Sequence, residues 1–177
     1  MAKRNNIIGL VWQILLALII VLIDRATKLY VIGNCALGEK FGELPFVADF
    51  VYEQNTGAAF SMLENNTILL SIISVVFIIA IIVYKIIRKP KHFMENLAVT
   101  LFFAGGLGNA IDRIQYKFVV DFIDVKWFDF PVFNIADISI VVGAGLLMLY
   151  FVLSSFEDIK SKKDTALVTV ENDAKNQ

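Results

Sequence analysis

The sequence predicts an all-α membrane protein, a bundle of four transmembrane helices with a small extracellular β element. Three observations lead there. Apolar residues make up 58% of the 177, against roughly 45–50% in an ordinary soluble chain. Four runs are nearly free of charge and long enough to cross a bilayer, which takes about 20 residues. Two of the connecting segments are rich in β-branched and aromatic residues, the composition of strands.

The first span is predicted over about 7–32. It is uncharged from Ile7 to Ile23 and continues past Asp24, Arg25 and Lys28 to Gly33 and Asn34, which can stop a helix. Lys3 and Arg4 precede it, so a secretory signal peptide is the competing reading. The length of the apolar core and the charges after it favour an uncleaved anchor. The segment "FVADFVYEQ", Phe46 to Gln54, follows Pro45 and reads as extended. The second span, 67–87, opens on the capping residues Asn65, Asn66 and Thr67. The third, 96–112, lies in "ENLAVTLFFAGGLGNAIDR". Lys117 to Phe130 carries the second strand signal. The fourth span, 135–154, lies in "FPVFNIADISIVVGAGLLMLYFVLSSF". Residues 1–156 read as a single membrane-embedded domain, and 157–177 as a charged, loosely ordered cytoplasmic tail.

Lysine and arginine set the orientation. Lys3 and Arg4, then Lys85, Arg88, Lys89 and Lys91, then Lys160, Lys162, Lys163 and Lys175 all fall on one side of a four-span chain. That side is assigned to the cytoplasm, with both termini. The loops at about 33–66 and 113–134 then face outward. A net charge of -1 gives no reason to expect a nucleic-acid partner, and one histidine (His92) with one cysteine (Cys35) makes a metal site unlikely on composition.

The polar residues share one level of this topology. Asp24 and Lys28 stand one turn apart at the outer end of span one, and Asn109, Asp112 and Arg113 share a face at the outer end of span three. Asn134 and Asp137 open span four, "EQNTGAAFS" leads into span two, and Asp121 lies in the second outer loop. Ionisable groups inside a span are costly and commonly mark a functional path. Each also has a plainer reading. Asn134 and Asp137 suit a helix cap. Asp24 with Lys28, and Asp112 with Arg113, suit ion pairs tying helix ends. Gly105–Gly108, Gly143 and Gly145 suit close helix packing. His92 suits a solvated loop.

Carboxylates without metal ligands point to acid–base chemistry. Two that approach closely cannot easily both ionise, so one becomes a base for water and the other, protonated, an acid. That is aspartic protease chemistry, and it needs no cofactor. Asp137 is the natural first member. Asp112, Asp121, Asp124, Asp129 and Asp24 compete to be the second. The expected Asp24–Lys28 and Asp112–Arg113 pairings reserve two of these for structure. An extended reading of 119–127 sets Asp121 beside Val119, Ile123, Val125 and Trp127, and spacing mildly favours it.

At these residues the chain resembles lipoprotein signal peptidase, also called signal peptidase II. The stretches that carry the resemblance are "DRATK" (24–28), "QNTGAAFS" (54–61), "GGLGNAIDR" (105–113), "VVDFI" (119–123) and "FNIAD" (133–137), in the family's order. The resemblance implies an intramembrane aspartic endopeptidase of the bacterial plasma membrane. It removes the signal peptide from a prolipoprotein by cleaving before a lipobox cysteine that already carries diacylglyceryl. Asp121 and Asp137 match the family's catalytic dyad. Asn55, Asn109, Arg113 and Asn134 match residues that position substrate and dyad, and Asp24, Lys28, Gly57 and Asp112 match supporting positions. Membrane lipids and the cyclic peptide inhibitor globomycin are the further partners implied. Residues 56–63, hinged at Gly57, are expected to close over bound substrate. The rival classes are an ion-coupled transporter using Asp137, Asp112 and Arg113 as a relay, and a noncatalytic membrane scaffold. Absence of a visible repeat and confinement of polar residues to one level argue against a through-path.

Overall fold

The structure, a computed structural model, describes residues 2–57 and 66–175; of residues 2–6, 158 and 160–175 it describes the backbone alone. Four long helices form the bundle: α1 (Ala2–Asn34), α2 (Thr67–Arg88), α3 (Phe93–Tyr116) and α4 (Ile135–Lys175). All four are long and apolar enough to cross a membrane.

The helices divide by what their surfaces carry. α2 is apolar nearly all round, and among its residues only Leu70 is buried. α1 likewise exposes Ile7, Ile14, Leu18 and Leu22. In water such surfaces would be costly, whereas in lipid they are solvated. The membrane-spanning part of α3 is the least apolar of the four, and α3 carries the most glycines. It packs against α1, α2 and α4 and holds the centre.

Small residues permit that packing. A Cβ at Gly105 would lie 2.3 Å from the Ala136 carbonyl oxygen, and one at Gly143 would lie 3.1 Å from that of Ala98. These two glycines let the α3 and α4 backbones approach, as expected of them. Gly145 does not take part, since a Cβ there meets nothing within 4 Å. α4 also departs from expectation beyond the span. Its backbone stays helical to Lys175, through a stretch with neither glycine nor proline and adjoining a helix already nucleated.

Strands β1 (Lys40–Leu44), β2 (Ala48–Asn55) and β3 (Val119–Val125) form an antiparallel sheet in the order β1-β2-β3. The sequence signalled β2 and β3 but not β1, whose "KFGEL" mixes charges with a glycine and whose pairing is irregular between Lys40 and Gly42. Ion pairs within and between strands help to hold it: Lys40 and Lys126 each reach Glu43 and Asp49, at 2.7–3.2 Å. Hydrogen bonds from these lysines hold both carboxylates below the usual range. Tyr52, Val120 and Phe122 of the sheet bury against Val31 of α1, seating the sheet on one end of the bundle. An isolated bridge from Ile123 to Phe133 carries the chain from β3 into α4. Asp121 and the start of α4 are thereby brought together.

Candidate active site

The site forms where β3, α3 and the first turn of α4 meet. The α4 terminus is built by a reciprocal cap. The Asp137 backbone N–H donates to Asn134 Oδ1 at 3.0 Å, and the Asn134 backbone N–H donates to Asp137 Oδ2 at 3.2 Å. The plain capping reading of this pair is therefore correct. It leaves the rest of each side chain free for other work. Asn134 Nδ2 donates to Asp121 Oδ1 at 2.6 Å and to Asn109 Oδ1 at 3.1 Å. Asn109 Nδ2 donates to Asp137 Oδ1 at 2.7 Å. Asn55, at the end of β2, donates to Asp121 Oδ2 at 2.9 Å and accepts from the Gly57 N–H at 2.9 Å. Two asparagines thus cross-link two carboxylates that come from different elements.

The amide orientations follow from the network. Asn109 Oδ1 accepts from Lys28 Nζ at 3.0 Å as well as from Asn134, so its NH2 group turns to Asp137. Asn134 Oδ1 is taken by the α4 cap, so its NH2 group turns to Asp121. Asp121 is 2% exposed. Burial, together with the neighbouring Asp137, pushes its pKa up to about 7, outweighing the two amide donors that favour its charged form. A carboxyl with that pKa can hold or release a proton near neutrality.

Below the pair lies a buried charge cluster. Lys28 Nζ is 2.9 Å from Asp24 Oδ2 and 3.0 Å from Asp112 Oδ2. Asp24 Oδ1 accepts from the Ala136 N–H at 3.0 Å, and Asp112 Oδ2 from the Val120 N–H at 3.2 Å. Asp24, Lys28 and Asp112 are each 0% exposed. The expected Asp24–Lys28 pair is present. The expected Asp112–Arg113 pair is not, because adjacent residues point about 100° apart on a helix. Asp112 instead pairs with Lys28 and with Arg25, which also donates to Gln115 at 3.1 Å. Arg25 is a member of this cluster that the sequence pattern does not mark. Counting charges would have found it, since Lys28 alone cannot balance Asp24 and Asp112.

Arg113 faces the other way. Its guanidinium donates to Ser74 Oγ of α2 at 3.3 Å and to the Gly57 carbonyl oxygen at 3.4 Å. With Asn55, Asn109, Asp121 and Asp137 it lines a cavity of about 450 Å3 whose remaining wall includes Phe130, Phe133, Ile138, Val141 and Val142. The nine polar residues and the one glycine expected at the site all lie in this network or beside it. Of the 56–63 segment, 58–63 lies outside the described residues. Asp124, a rival second acid, pairs across the sheet with Asp49, away from the cavity lining.

Polar residues are not confined to one level, contrary to expectation. At the opposite end of the bundle Lys85 Nζ donates to Asn96 Oδ1 at 2.7 Å and to Gln13 Oε1, and Tyr84 donates to the buried Glu95 at 2.7 Å.

Fold and site together define a multi-pass membrane protein with two neighbouring carboxyl groups on one cavity. The family described as Signal peptidase (SPase) II matches residues 16–153, and the chain belongs to that family; it is a protease. A lipoprotein signal peptidase of Clostridium acetobutylicum is 35% identical over 147 residues, covering 80% of this chain and 94% of the relative. One from Staphylococcus aureus is 35% identical over 154 residues, covering 86% and 92%. Among solved structures, a bacterial membrane enzyme determined in meso at 2.3 Å superposes with a TM-score of 0.77 at 33% identity, covering 81% of this chain and 88% of that one. A second, at 1.9 Å, gives 0.72 at 34% identity, covering 78% and 91%.

Proposed function

We propose that the family's reaction, removal of the signal peptide from a diacylglyceryl-modified prolipoprotein just before its lipobox cysteine, is carried out in this chain by Asp121 and Asp137. The observation that carries the assignment is the cross-linking of these two carboxyl groups by Asn134 and Asn109 at a shared cavity. Asp137 acts as the base. It takes a proton from water as the water oxygen attacks the scissile carbonyl carbon. Asp121, protonated, gives its proton to the carbonyl oxygen, forming a neutral tetrahedral diol. Collapse of the diol breaks the C–N bond. The proton held by Asp137 passes to the leaving amine of the cysteine, and a diol proton returns to Asp121.

The remaining residues position these two. Asn109 and Asn134 hold both carboxyls against rotation, so less orientation is lost on reaching the transition state. Arg113 and Asn55 frame the cavity from the α2 and β2 sides. The apolar wall at Ile138, Val141 and Val142 suits the apolar signal segment. The diacylglyceryl chains stay in the surrounding lipid. Lysine and arginine placement supports an orientation with both termini in the cytoplasm and the acid pair near the outer face of the bacterial plasma membrane. Globomycin-type peptides would compete for the same cavity. The test is cleavage of a lipid-modified prolipoprotein by purified wild type, Asp121→Asn and Asp137→Asn. Cleavage by either folded variant at a near wild-type rate would remove that residue from the mechanism.

A further inference from the structure

A second cavity, of about 380 Å3, opens between α1, α2 and α3 at the end of the bundle away from the acid pair. Its walls are apolar side chains such as Leu10, Ile14, Val21, Ile82, Phe103 and Leu107. From Leu10 to Val21 the groove runs roughly 16 Å along α1, at 1.5 Å per residue. That is close to half of a hydrocarbon core about 30 Å thick. The groove therefore spans about one leaflet.

Lys85 lines one end of this groove. Its ammonium carries three N–H donors. Among the described residues it donates to two neutral amide oxygens, Gln13 Oε1 and Asn96 Oδ1, and makes no ion pair. Gln13 belongs to α1 and Asn96 to α3, so the cation is fixed where the three helices meet. Arg88, one turn on along α2, is largely exposed and reaches Glu95 only at 3.7 Å. The Glu95 carboxylate is itself engaged by Tyr84. A one-leaflet apolar groove thus ends at an ammonium that makes no ion pair among the described residues, and Lys85 and Arg88 together outnumber the buried Glu95 carboxylate that shares their field. Basic pockets between transmembrane helices suit anionic headgroups.

We propose that this groove binds an anionic phospholipid. One acyl chain lies along α1 between α2 and α3, and the phosphate accepts hydrogen bonds from Lys85 and Arg88. The site is separate from the peptidase cavity and does not depend on the roles given to Asp121 and Asp137.

The test uses the full chain, purified in neutral detergent and offered phosphatidylglycerol or phosphatidylcholine with identical acyl chains. Lipid retention is read by native mass spectrometry and the unfolding midpoint in parallel. Wild type is expected to retain phosphatidylglycerol at least about tenfold better, a difference in binding free energy of the size one well-placed charge contact supplies. Lys85→Gln should abolish that preference and Lys85→Arg keep it. Should Lys85→Gln fail to fold, Ile14→Trp, which fills the groove at a residue outside the amide hydrogen bonds, should lose phosphatidylglycerol retention while leaving prolipoprotein cleavage in place. Equal retention of the two lipids by wild type, an undiminished preference in folded Lys85→Gln, or undiminished phosphatidylglycerol retention by Ile14→Trp would overturn the proposal.

Discussion

Lys28 donates a hydrogen bond to Asn109 across 3.0 Å, with Lys28 sealed completely from solvent. Through this contact the buried charge cluster sets the amide that faces Asp137. Replacing the cation, as in Lys28→Met, leaves Asp24 and Asp112 buried with less compensation. Breaking a buried ion pair from one side costs about 3–5 kcal/mol. A large drop in the unfolding midpoint is expected, along with lost cleavage. A midpoint equal to wild type would show that the cluster does not hold the bundle.

Asp121→Asn and Asp137→Asn keep the side-chain volume but remove the acid–base function. Each is expected to lower cleavage by about 10²–10⁴-fold while remaining folded and membrane-inserted. Single-turnover cleavage of a lipid-modified prolipoprotein, read beside thermal unfolding, separates chemistry from folding.

The raised pKa of Asp121 has a defined sign. At about 7 in the folded protein against 3.8 for an unperturbed aspartate, its proton is bound more tightly in the folded state. The stability linked to this group is therefore full below pH about 4 and declines as pH rises through about 7. Wild type should lose unfolding midpoint between pH 5 and pH 8 more steeply than Asp121→Asn. Cleavage should fall by up to about tenfold per pH unit above 7, as the acid ionises. Parallel midpoint profiles for the two proteins would remove the linkage.

Gly105 and Gly145 differ in what surrounds them. A Cβ at Gly105 meets backbone at 2.3 Å, which cannot turn aside, whereas Gly145 is open. Gly105→Ala should force α3 from α4 and destabilise by about 1–3 kcal/mol. Gly145→Ala should be neutral or slightly stabilising, because alanine is the better helix former. Unfolding midpoints of the two variants measured side by side decide this.

Arg25→Gln removes one of two cations from Asp112 while leaving Lys28 in place. A hydrogen bond to a charged group contributes about 1.5–3 kcal/mol. The loss of stability should therefore be smaller than for Lys28→Met, and cleavage should survive in part. If Arg25→Gln is as damaging as Lys28→Met, the ranking of these two cations is wrong.

The sequence by itself determined the class, because uncharged runs of bilayer length have few other uses. It also determined which residues are chemically equipped, since asparagines and carboxylates in five ordered stretches stand out against an apolar background. Local spacing placed Asn134 and Asp137 on one helix turn, and the cap between them is local as well. Partner choice was decided only by the tertiary structure. Asp112 reaches Lys28 and Arg25 of α1 rather than its own neighbour Arg113, because α3 turns toward α1 the face that carries Gly108, where a Cβ would lie 2.6 Å from Asp24 Oδ2. β1 forms because β2 offers it an edge, which no property of "KFGEL" announces. The Lys85 cluster likewise appears only when three helices bring Gln13, Lys85 and Asn96 together. Spacing along one helix tells which side chains share a face. Which face meets which neighbour depends on contacts between residues far apart in the chain.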